Sequence, residues 1–129
     1  MPNSADFIAH VLELMRPAAA ATATARAMFG GHGVYADGII VAIVIDDTVY
    51  FKTDDTNRDE FTALGMEAFA YVTREGARHV MSYHRAPDEA LESPAAMARW
   101  LRSAMGAALR RAKAKPPRRK IGSDPNFRA

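Results

Sequence analysis

Seven consecutive apolar residues, Ile39–Ile45, stand between two turn-forming pairs, Asp37-Gly38 and Asp46-Asp47. The run is too short for a membrane span, which needs about 18–20 residues. A strand with one solvated face alternates apolar and polar residues, whereas this one offers water no polar side. It therefore belongs at the centre of a sheet, or packs its second face against something else. Asp37-Gly38 is a two-residue hairpin signal, because both residues tolerate positive φ. After Asp46-Asp47 the chain returns along Thr48–Thr53, with Val49 and Phe51 on one face and Tyr50 and Lys52 on the other. Upstream, Thr24–Phe29 and Gly33–Ala36 read as short strands around a turn Gly30-Gly31-His32. Together these segments form an antiparallel meander.

Helices bracket it. Phe7, Ile8, Val11, Leu12 and Met15 form one apolar stripe behind an Asn3 or Ser4 cap, and Pro17 is expected to end that helix. Ala18–Ala25 reads as a connector. Asp54, Asp55 or Thr56 caps a short helix that points Phe61 and Leu64 inward and stops at Gly65. Phe69–Arg74 and Arg78–His84 form a second hairpin across Glu75-Gly76, and Pro87 opens a one-turn element through Leu91. Ser93-Pro94 starts a final helix whose Met97, Trp100, Leu101, Ala104, Met105 and Ala108 make a core stripe. The expected fold class is α+β: two layers, an antiparallel sheet with helices on one face, in the order α-βββ(β)-α-ββ-α.

A chain of 129 residues without cysteine fits one self-supporting core and excludes disulfides, thiolate catalysis and cysteine metal sites. The N-terminal segment has Asp6 and Glu13 and no basic start, unlike a secretory signal, so a cytoplasmic location and no membrane association are expected. The charge is split. Residues 1–109 carry 9 Lys+Arg against 14 Asp+Glu, and residues 110–129 carry 8 against one. An acidic body thus ends in a basic tail of Arg110, Arg111, Lys113, Lys115, Arg118, Arg119 and Lys120, interrupted by Pro116-Pro117. The division read from this is a domain over 1–112 and a disordered tail over 113–129. Such a tail is attracted to nucleic acid through counterion release. It also suits a solvated segment that folds back on the acidic body.

Few residues suggest chemistry. Among His10, His32, His79 and His84, only His32 lies in a glycine-rich turn, and no pair has metal-ligand spacing. Gly30-Gly31-His32-Gly33 resembles a phosphate cradle only superficially, since a strand follows instead of a helix and no lysine is placed to help. Ser82 shares its strand parity with His84, which makes a nucleophile–base contact conceivable but supplies no third group. The acid pairs serve as turn formers, and Met15, Met28, Met81, Met97 and Met105 read as core. No cofactor and no metal are expected.

The run Arg26-Ala27-Met28-Phe29-Gly30-Gly31-His32-Gly33-Val34-Tyr35 resembles the signature of the TfoX/Sxy N-terminal domain family. Asp37-Gly38-Ile39, Tyr50-Phe51-Lys52-Thr53, Asn57-Arg58 and Met81-Ser82-Tyr83 with Pro87 follow in the family's order, and Trp100 sits where a final-helix aromatic often lies. The resemblance covers about residues 5–113. It departs at the alanine-rich connector and at His32, where an aromatic is commoner, and the basic tail lies outside it. It implies a secretion-chaperone-like α+β fold and kinship with bacterial competence regulators. Those act with the cyclic-AMP receptor protein, have no known enzymatic activity and carry a second, helical domain; a stand-alone N-terminal domain without it is expected here. The expected function is a non-enzymatic regulatory or protein-interaction module. Its doubly apolar strand would meet a protein partner or a second copy in a homodimer. The alternatives are DNA binding through the tail and a small-molecule or metal-dependent enzyme around His32.

Overall fold

The computed structural model describes residues 3–18, 22–28 and 30–114. The elements run α1 (Ala5–Ala18), β1 (Thr24–Met28), β2 (Gly31–Ala36), β3 (Ile39–Ile45), β4 (Thr48–Lys52), α2 (Arg58–Thr62), β5 (Ala68–Val72), β6 (Arg78–Arg85), a 3-10 turn (Asp88–Leu91) and α3 (Pro94–Ala114). The six strands form one antiparallel sheet in the order β1-β2-β3-β4-β6-β5, with the helices against one face. The α+β class and the element order are those expected.

Local chemistry accounts for the turns. Asp37 and Gly38 have φ of 52° and 79°, and Asp46 and Asp47 have 51° and 54°. Both pairs thus hold the left-handed geometry that matches the twist of a two-residue hairpin. The Asp46-Asp47 turn also anchors the start of α1. The Asp47 amide donates to Asn3 Oδ1 at 2.7 Å, and the Ser4 amide donates to Asp47 Oδ1 at 2.8 Å.

Several boundaries differ from expectation. Gly31 and His32 belong to β2, paired with Met28 and Ala27, so the turn is tighter than read and only Gly30 has positive φ. Pro17 lies within α1, which continues to Ala18. A proline in a last turn disturbs only the hydrogen bonding of that turn. Arg16 then fixes the chain beyond it, donating from Nε and Nη2 to the Ala23 carbonyl at 3.1 and 3.0 Å. Leu64 points outward, 52% exposed, because α2 is a single turn with room for one inward residue.

The core centres on α3. Trp100, Phe51, Phe61, Met15, Met97 and Leu101 are its largest fully buried side chains. The indole N–H of Trp100 donates to Glu89 Oε2 at 2.8 Å, so the ring is buried with its polar atom satisfied. Asn57, 2% exposed, ties three elements together: Nδ2 donates to Ser103 Oγ (3.0 Å) and to the Lys52 carbonyl (3.2 Å), and Oδ1 accepts the Asp54 amide (2.8 Å).

The apolar run occupies the middle of the sheet, and a β-bulge explains how its second face is used. Val34 pairs with Ala42 but Tyr35 pairs with Ile40, which leaves Val41 as an extra residue on β3. Val41, Ala42 and Val44 consequently join the helix-side core. Ile43 and Ile45 face the opposite side.

Candidate functional site

The helix-free face is concave. Met28 from β1, His32 from β2, Ile43 and Ile45 from β3, Phe69 and Tyr71 from β5, and Met81 and Tyr83 from β6 line a recess of about 490 Å³. β5 and β6 slip register between Ala68 and Ala70, a second irregularity that bends the hairpin. Aromatic contacts brace it: Phe69 meets Tyr50 edge-on at 5.0 Å between centroids, and Tyr71 stacks on His79 at 5.3 Å. Lys52 Nζ lies 4.7 Å from the centre of the Tyr83 ring. Burial raises the Tyr83 phenol above its usual range, with the neighbouring Tyr35 adding to it. Burial and Glu67 raise Tyr50 likewise, while burial and Arg111 lower Lys52.

Two stretches of the family-like pattern, some fifty positions apart, meet here. Met28 and His32 come from the first, and Met81 and Tyr83 from the second. Arg26 places its guanidinium 5.1 Å from the Tyr35 ring centre. Gly33 leaves space that Met28, Tyr35 and Ile40 fill: a Cβ there would lie 3.1 Å from Met28 Sδ. Phe29 lies outside the described residues. Met28 and Met81, expected in the core, line this recess instead, and Met81 is 36% exposed. The pattern of single residues could not reveal this, because the bulge at Val41 inverts the parity on which a face assignment rests. Ile43 and Ile45 were missed as site residues for the same reason, and Phe69 and Tyr71 because of the register slip in β5–β6. The doubly apolar strand was the one signal of a second buried face.

The other chemical candidates are not assembled. His32 accepts through Nδ1 from Asn3 Nδ2 at 2.9 Å, and the same amide donates to the Val44 carbonyl at 2.7 Å. That ring docks the start of α1, and among the described residues no carboxylate lines the recess it edges. Ser82 and His84 do not meet. Ser82 is exposed and its carbonyl accepts the Thr53 amide at 2.9 Å, while His84 Nδ1 shares a 2.9 Å hydrogen bond with Thr53 Oγ1. His10 is exposed on α1. Among the described residues, no group of three His, Asp or Glu side chains is placed to hold a metal, and no helix is long and apolar enough to cross a membrane.

The basic residues separate into classes. Arg110 is bound to the body, with Nε 2.6 Å from Asp54 Oδ2 and Nη2 3.0 Å from Oδ1. This holds the Asp54 carboxyl below its ordinary range. Arg111 and Lys113 are exposed on the last turn of α3. Lys115, Arg118, Arg119 and Lys120 lie outside the described residues.

His84 gives a pH prediction. It is 6% exposed against Phe61, and burial, with a smaller contribution from Arg58, lowers its pKa below 6.5. The unfolded chain therefore takes up this proton first, and stability from a neutral His84 is complete above about 6.5 and falls as pH drops below it. Thermal midpoints should decline from pH 7 to 5, with a shallower decline in His84→Gln. An unchanged slope in the variant would assign the acid sensitivity to other groups.

No curated protein matches the chain. The family model for the TfoX N-terminal domain matches residues 14–108, a span that takes in the C-terminal end of α1, all six strands and most of α3. With that match covering well over half its length, this chain belongs to the TfoX N-terminal domain family.

Proposed function

We propose that the protein is a non-enzymatic regulatory module, akin to the competence regulators that its family resemblance implies, and that it works by pairing with protein through the β5–β6 hairpin. One observation carries this reading. Tyr71, Val72, Val80 and Met81 are 47%, 66%, 58% and 36% exposed, so among the described residues most of the exposed large hydrophobics sit on this one hairpin. β5 is also a sheet edge, and its Ala70-Tyr71-Val72 stretch carries neither charge nor proline. Natural edge strands are normally protected by such residues, and an edge left open is a template for a further strand. A second copy is the partner that fits most directly, since two antiparallel β5 edges are self-complementary about a twofold axis. This reading places the contact on β5–β6 and not on the doubly apolar β3, whose Ile43 is only 7% exposed.

Light scattering on the full chain tests this. The mass should rise with concentration from 14.1 kDa towards twice that value. Val72→Lys should hold it at 14.1 kDa, and Leu64→Lys, away from the hairpin, should not. A wild-type mass that never leaves 14.1 kDa would overturn the self-pairing.

A further inference from the structure

We propose that the recess on the helix-free face binds an uncharged, ring-containing small molecule bearing one oxygen acceptor. Its volume of about 490 Å³ lies in the roughly 300–1,000 Å³ range of ligand sites. Among the described residues, no Asp, Glu, Lys or Arg side chain lines it, so a charged guest would lose hydration with no countercharge from them to replace it. The two methionines, Met28 and Met81, give walls that adjust to an irregular guest. A second, independent feature specifies the acceptor. Tyr83 lines the recess and is 5% exposed, and among the described residues its hydroxyl has no hydrogen-bond partner. Buried phenols ordinarily have one, and a ligand oxygen would supply it. The depth argues against a second copy as occupant: Ile43 at the floor is 7% exposed, out of reach of a flat sheet face.

Acetophenone carries a ring and one carbonyl, and ethylbenzene has the same shape without the acceptor. Both are titrated into the full chain, following backbone amide shifts by NMR. Saturable one-site shifts centred on residues 43–45, 69–71 and 81–83 are expected, with acetophenone binding at least threefold more tightly. Tyr83→Phe should abolish that difference while leaving ethylbenzene unchanged. Met81→Trp, which fills the recess from a partly exposed position, should weaken both at least tenfold. Three results would each overturn the proposal. They are no saturation up to the solubility limits, equal affinities for the two probes in the wild type, and shifts centred on Val72 and Val80 that Met81→Trp leaves intact.

Discussion

Replacing Phe61 by alanine is expected to cost about 3–5 kcal/mol of folding free energy, the range for a fully buried aromatic. Phe61 is 0% exposed, and its ring lies 5.1 Å from that of Trp100, 6.0 Å from His84 and 6.3 Å from Phe51, centroid to centroid. It thus joins α2, the sheet and α3 at one point. α2 has five residues, and its N-cap Asn57 makes no side-chain capping bond because that side chain is committed to Ser103, Lys52 and Asp54. A helix so short has no stability of its own, so Phe61 supplies its attachment. Losing it should also release the neighbouring Trp100 and His84. Leu64→Ala, three residues on but 52% exposed, should change stability by no more than about 0.5 kcal/mol. Urea unfolding followed by the fluorescence of the single tryptophan measures both. A Phe61→Ala cost near 1 kcal/mol would mean that the site collapses around the void, and the junction would then be less specific than the ring distances suggest.

The elements that could be read from residues alone were those whose signal is local. The α3 stripe from Met97 to Ala108 is long enough for its period to be unambiguous, and the turns at Asp37-Gly38 and Asp46-Asp47 announce themselves by residue type. β4 alternates cleanly, and Val49 and Phe51 are buried as its pattern demands. What stayed hidden depends on pairing between distant segments. Nothing in Ile39–Ile45 marks Val41 as the extra residue, because all seven positions are apolar and any parity looks acceptable. The recess follows from that bulge together with the slip in β5–β6, so Phe69 and Tyr71 gave no sign of facing Met28 across the sheet. Likewise Leu64 is helical in spacing, but whether a second inward position exists depends on helix length. The family resemblance names Met28 and Tyr83 in one pattern, and the fold brings both to one surface.

The glycines of the first signature separate two physical roles, and alanine substitution should rank them. Gly31→Ala is expected to be the most damaging, at the upper end of the roughly 1–3 kcal/mol seen for overpacking. Its Cβ would run into the Val44 carbonyl oxygen and lie 2.6 Å from Ile45 Cδ1. The first obstacle is the backbone of the central strand, which pairs with β2 at His32 and Val44 and cannot withdraw without opening the ladder. At Gly30 the space is open, with nothing within 4 Å of a Cβ, but φ is +76°. The cost there is conformational, about 1–2 kcal/mol for a residue with a side chain in the left-handed region. Gly33→Ala should be mildest, because its Cβ would meet the movable ends of Met28 and Ile40, at 3.1 and 3.2 Å, as well as the Tyr35 ring. Urea midpoints of the three variants give the order directly. If Gly31→Ala proved no worse than Gly30→Ala, the second glycine would be serving backbone freedom and not close approach, and β2 would have slack to move off β3. The expected order instead makes Gly31 the residue that lets β2 lie against β3 at full contact. That contact seats the β1–β2 hairpin, with Met28 at its end, beside the recess.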